Sequence, residues 1–103
     1  MLFGPLLKGW AASVAALFSL GVMVATPAAL RLLEEHGIDP GNLLARHQSG
    51  DWGECGPEDW KANDLDLCTG GRLFSVYKVC RDRLWIITEA DRSATTILLP
   101  DEY

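Results

Sequence analysis

Leu84-Trp85-Ile86-Ile87-Thr88-Glu89-Ala90-Asp91-Arg92-Ser93-Ala94-Thr95-Thr96-Ile97-Leu98-Leu99 sets a short charged interval between two apolar runs rich in β-branched residues. Such side chains suit the pleated, half-buried surface of a sheet, and a polar interval of this length suits a turn. The stretch therefore predicts two strands, at 84–88 and 94–99, joined as a hairpin. Working upstream, residues 72–79 alternate, with Leu73, Ser75, Tyr77 and Val79 on one face and Phe74, Val76 and Lys78 on the other. Arg81-Asp82 supply the turn between this strand and the next. Three consecutive strands with short connections pair antiparallel.

Further upstream the period changes from two to that of a helix. Thr26-Pro27 and Asp39-Pro40 each pair an N-cap residue with a proline whose fixed φ suits the first helical position. Pro57-Glu58-Asp59 opens a third helix, with acids at its positive end, that runs to about Thr69. Gly37, Gly50 and Gly70-Gly71 are the corresponding stops. In the first helix, predicted over 28–36, Ala29, Leu30 and Leu33 form the inward face against Arg31, Glu34 and Glu35. In the second, over 41–48, Leu43 and Leu44 point inward. Trp85, in an apolar central strand, is expected in the core. The order of elements predicts an α+β fold: a small antiparallel sheet with short helices packed on one face.

The 103 residues support one small domain, and nearly half of them are apolar, so a packed core forms. A net charge of −5 disfavours direct nucleic-acid binding, which depends on releasing phosphate counterions. It is also too dispersed for a surface that imitates DNA. Cys55, Cys68 and Cys80 show neither metal-ligand spacing nor an even count, and so read as reduced thiols; one bridge with a leftover thiol is the alternative for an exported chain. No charge occurs at 9–30, and Lys8 precedes this run as in a signal peptide or a membrane span. A capped helix begins at Thr26, inside this run, and the expectation is an atypical extension at 1–18, a single α+β domain at 19–103 and a cytoplasmic location. Membrane anchoring through residues 1–30, or export, is the alternative.

Five segments together resemble a family of short uncharacterised proteins from bacteria, plasmids and phages. They are Val24-Ala25-Thr26-Pro27-Ala28-Ala29-Leu30, Leu44-Ala45-Arg46-His47-Gln48-Ser49-Gly50-Asp51-Trp52-Gly53-Glu54, Glu58-Asp59 with Ala62-Asn63-Asp64, Gly71-Arg72-Leu73 with Ser75 and Tyr77, and Trp85 to Tyr103. The resemblance covers most of 20–103 and implies a buried first strand followed by a helix, a mobile-element setting and no assigned activity. Some members are labelled as the methylation subunit of a type I restriction-modification system. A methyltransferase needs a doubly wound sheet with a glycine-rich first turn, and this chain has neither that turn nor a polar-Pro-Pro-aromatic segment. It is not a methyltransferase by itself.

Two groups of residues carry potential chemistry. His47 and Asp51, beside Arg46 and Trp52, suit proton transfer or anion binding; the structural reading is a histidine favouring the helix dipole and an aspartate capping a turn. Glu89 and Asp91 project to one side of a continuing strand, as a hard metal or an acid–base pair requires. With no third ligand nearby, Arg92 is instead expected to pair with one of them. Trp52 and Arg92 are the candidate binding residues, and Trp52, Trp60, Phe74, Tyr77 and Trp85 form either a recognition patch or the core and its rim. The expected function is that of a non-enzymatic accessory protein, without metal or cofactor, contacting an unknown protein partner in restriction or another host defence. The alternative is a metal-assisted or acid–base hydrolase using His47, Asp51, Glu89 and Asp91.

Overall fold

The computed structural model describes residues 16–103. Strand β1 (Val22–Ala25) leads through helices α1 (Pro27–Glu35), α2 (Pro40–Gln48) and α3 (Pro57–Thr69) to β2 (Leu73–Val79), β3 (Asp82–Thr88) and β4 (Ala94–Leu98), and a 3-10 turn (Pro100–Glu102) follows. The fold is α+β. Its four-stranded sheet runs β1-β4-β3-β2, with β2, β3 and β4 antiparallel as the alternation predicts.

The sheet is mixed at one edge, because β1 lies parallel to β4, with Val22 opposite Ala94 and Ala25 opposite Ile97. The helical excursion between β1 and β2 carries the chain back over the sheet, and the last hairpin then delivers β4 alongside β1 in the same direction. β1 is thus an outer strand: Val22, Met23 and Val24 are exposed, which corrects the expectation of a buried strand. Gly21, at φ 65°, makes this seat reachable. A Cβ there would collide with the Ser93 carbonyl group, the acceptor from the Val22 N–H at 3.0 Å.

Caps position the helices over one face. Thr26 Oγ1 accepts from the Ala29 N–H at 3.1 Å and donates to Glu102 Oε1 at 2.7 Å, tying the start of α1 to the closing turn. Asp39 caps α2 through the Gly41 N–H. In α1 the buried residues are Ala29, Leu32 and Leu33, not Leu30, because positions i, i+3 and i+4 share a face; Leu30 points outward. With Leu43 of α2 they pack on Tyr77, Val79, Leu84, Ile86 and Ile97 of the sheet.

The opposite sheet face is thinly covered. Trp85 lies there, half-buried, edge-on to Phe74 at 4.9 Å and to Tyr103 at 5.5 Å. It borders the core and does not fill it, since the odd positions of β3 face away from α1 and α2.

The fold also reaches into the expected extension. The Leu17 N–H donates to the Gln48 carbonyl, the Gln48 side chain donates to the Phe18 carbonyl, both at 2.8 Å, and the Phe18 ring packs against His47 and Trp52. The boundary expected after residue 18 therefore cuts a packed contact. Residues 1–15, most of the expected extension, lie outside the described residues. Among the described residues no helix is long and apolar enough to cross a membrane, and 22–25 of the apolar run form the outer strand. Cys55, Cys68 and Cys80 are all free thiols.

Candidate functional site

The inward face of the strands carries Ser75, Thr88 and Thr95 among its apolar residues, and the last turn of α2 brings His47 down onto them. All four are fully buried. His47 Nδ1 lies 2.5 Å from Ser75 Oγ, and Nε2 lies 2.9 Å from Thr88 Oγ1. Thr88 Oγ1 lies 2.7 Å from Thr95 Oγ1, which donates to the Leu20 carbonyl at 2.7 Å.

That carbonyl only accepts, and this fixes the direction of the whole run. Thr95 spends its proton on Leu20, so Thr88 donates to Thr95, His47 Nε2–H donates to Thr88, and Ser75 donates to the bare Nδ1. The imidazole is neutral. Desolvation, aided by the positive charge of Arg92, holds its pKa down at about 4. The dipole role expected for a charged His47 is replaced by this neutral, bridging one.

Ser75 and His47 thus share the contact of a nucleophile and its base. With both at 0% exposure, no substrate reaches them. Three hydroxyls at inward positions of an otherwise apolar alternation were the sequence signal for a buried polar partner.

The other candidates lie apart from this run. Asp51 turns outward to Arg46, with Nε to Oδ2 at 2.7 Å, and accepts from the Gly53 N–H. The Arg46 hydrogen bond holds its carboxyl below the usual range. Arg46 also stacks over Tyr77, whose hydroxyl donates to the Asp51 carbonyl at 2.6 Å. Glu89 pairs loosely with Arg72 at 3.7 Å, and Asp91 accepts from the Ser93 N–H in a tight turn. His47, Asp51, Glu89 and Asp91 therefore serve separate local structures. Among the described residues no three His, Cys, Asp or Glu side chains gather to hold a metal ion.

Trp52 is fully buried, stacked on Phe18 and edge-on to His47, with Nε1–H donating to Asp64 at 3.0 Å. It is a core residue and offers no contact surface. Arg92 does not pair with Glu89 or Asp91 as expected. From a left-handed backbone position at φ 62°, its guanidinium donates to the carbonyls of Gly71, Glu89, Ala90 and Asp66. It clamps the end of α3 to the β3–β4 hairpin, reaching the Gly71, Glu89 and Ala90 carbonyls together with the Asp66 carbonyl, which also accepts from the Gly70 and Gly71 N–H groups. Arg92→Lys is expected to cost about 2 kcal/mol in urea unfolding, since a single ammonium cannot span four carbonyls and charge-assisted bonds are the strong ones. An unchanged midpoint would show that the clamp contributes nothing.

The two sheet edges differ. At β2 every outward backbone group of the central residues is met: the Val76 N–H donates to the Trp52 carbonyl, and the Val76 carbonyl accepts from Glu54 at 2.6 Å. Asn63 of α3 engages both the N–H and the C=O of Phe74. Gly53, at φ 74°, lets this segment lie against β2, because a Cβ there would meet the Val76 carbonyl and the Tyr77 ring. At β1, Val22, Met23 and Val24 are 67%, 59% and 48% exposed and Leu30 beside them is 47% exposed. An apolar recess of about 220 Å3 opens next to the strand, floored by Ala25, Leu30, Pro40, Leu44 and Ile97.

Comparisons of the chain with protein-family models, with curated proteins and with solved structures give no match.

Proposed function

We propose that the chain is a non-enzymatic accessory protein acting through protein–protein contact, with β1 and the recess beside it as the contact surface. The observation that carries this reading is the contrast between the edges: β2 is closed by Trp52–Glu54 and Asn63, while among the described residues no segment pairs with the outer side of β1, which is uncharged and apolar. Edge strands that only need to remain inert are shielded by charge, proline or a bulge. The dispersal of His47, Asp51, Glu89 and Asp91 supports the same reading against a hydrolase. A mobile-element setting, and a role beside restriction or another host defence, rest on the family resemblance of the sequence.

The test is affinity purification from the native host with full-length tagged protein, wild type against Val24→Lys, with mass spectrometry of the recovered proteins. Val24 is half-exposed, so the lysine leaves the thermal transition in place. Partners recovered with wild type and lost at least about tenfold with the variant are expected, as for a charge placed in an apolar contact. Equal recovery from both would reject β1 as the contact surface.

A further inference from the structure

We infer that the occupant of the β1 edge is a second copy of this chain, paired antiparallel through β1 about a two-fold axis at Val24. The inference rests on β1 being the contact surface. The N–H groups of Val22 and Thr26 point at β4, donating to Ser93 and Ile97 at 3.0 Å each. Backbone groups alternate in direction along a strand, so the N–H and C=O of Met23 and Ala25 face away from the sheet.

Those two residues determine the register. An antiparallel neighbour exchanges both bonds with residues whose groups face it, and two copies of β1 satisfy this with Met23 opposite Ala25 of the second copy and Ala25 opposite its Met23. Four backbone hydrogen bonds form, all between groups that have no backbone partner among the described residues. Val24 then meets its own copy on the axis as the close, non-hydrogen-bonded pair.

Side-chain volumes agree with the same register. Met23 and Ala25 share the face that carries α1 and α2, because Met23 lies opposite Thr95 and Ala25 opposite Ile97. The Met23 side chain of one copy is thereby set beside the small Ala25 of the other, in the 220 Å3 recess that Leu30, Pro40, Leu44 and Ile97 line together with that copy's own Met23 and Val24. A flexible thioether is well suited to filling such an irregular hollow. By symmetry the exchange happens twice, an isologous contact that closes on itself and leaves β2, already sealed, as the outer edge on both sides. No charged residue lies in 20–25, so the paired strands set no like charges opposite each other. The strand pair and its flanking side chains stay below the roughly 1,200 Å2 of a standard interface, so the dimer is concentration-dependent.

The experiment is register-specific cross-linking of the full chain with Cys55, Cys68 and Cys80 changed to serine. Across the axis the two Val24 Cα atoms lie about 4.5 Å apart, within disulfide range, whereas Val22 sits opposite Thr26 and its two copies are about 13 Å apart. Under oxidised glutathione, Val24→Cys is expected to give a covalent dimer at least about tenfold faster than Val22→Cys. Sedimentation of the wild-type chain should show a dimer that Met23→Glu abolishes while leaving the thermal transition intact. Equal cross-linking at both positions, or a wild-type monomer at every concentration, overturns the dimer. A monomer whose partner capture is still lost with Val24→Lys would place a different protein on β1; a monomer whose capture is unchanged would remove β1 as a contact surface altogether.

Discussion

Trp52→Ala is expected to destabilise the protein by about 4 kcal/mol, within the range for truncating a large aromatic in a core. The indole has no exposed surface, stacks on Phe18, meets His47 edge-on and donates its one polar hydrogen to Asp64. Truncation leaves a hollow that Gly53 and its neighbours cannot close, because the Trp52 carbonyl and Glu54 N–H are held by Val76. A domain of this size has a total stability of the order of 5–15 kcal/mol, so the variant retains little of it at the low end. Trp85→Ala is the control. That ring is half-buried on the thinly covered face, and its loss should cost less than half as much. Urea midpoints of the two variants decide the matter: equal losses would mean that the Trp85 face is as tightly packed as the helix-covered one.

The second large effect is acid destabilisation through His47. In the unfolded chain its pKa is the ordinary 6.5, and in the folded protein burial brings it to about 4. Between these values the unfolded state binds a proton that the folded state refuses, so stability falls as the pH is lowered from about 6.5 to about 4 and levels off below. Above 6.5 both states are neutral and the slope vanishes. The full loss is about 3 kcal/mol. Protonation would give Nδ1 a hydrogen that meets the Ser75 hydroxyl and would set a second positive charge near Arg92, with no carboxylate bonded to either ring nitrogen. His47→Gln removes the titration whatever its own stability at neutral pH. Urea unfolding at pH 7, 6, 5 and 4 should therefore give lines for wild type and variant that converge on acidification, and parallel lines would show that His47 titrates normally.

Much of the local structure was legible in the residues because it depends on neighbours in sequence. Thr26-Pro27 and Asp39-Pro40 start helices as capping chemistry dictates, and Gly70 ends α3 in the left-handed conformation. The alternation of Leu73, Ser75, Tyr77 and Val79 matches the observed inner face of β2. The exchange of Leu30 for Leu32 on the buried face of α1 was not legible, since both flank the shared Ala29 and Leu33, are equally apolar, and only the sheet decides which of them it covers. In the candidate site, residue types were visible but their partners were not. His47 reads as a surface base until Ser75 and Thr88 are brought to it from 28 and 41 positions away. Arg92, among acids in sequence, was assigned to their carboxylates, and the fold gave it four carbonyls instead.

By itself the sequence determined the class of the protein: three helices with their starts and stops, three antiparallel strands with their faces, and a net charge of −5. These follow from periodicity, capping and Coulomb terms, which act over a few residues or over the whole chain at once. The tertiary structure alone decided that β1 lies parallel to β4 as the outer strand of the sheet, that Trp52 and His47 share a sealed centre while Trp85 borders it, and that β2 is closed by Trp52–Glu54 and Asn63. Each of those outcomes depends on which strand ends lie side by side after the helical excursion, a choice set by the packing of α1 and α2 on the sheet and by hydrogen bonds between residues remote in sequence.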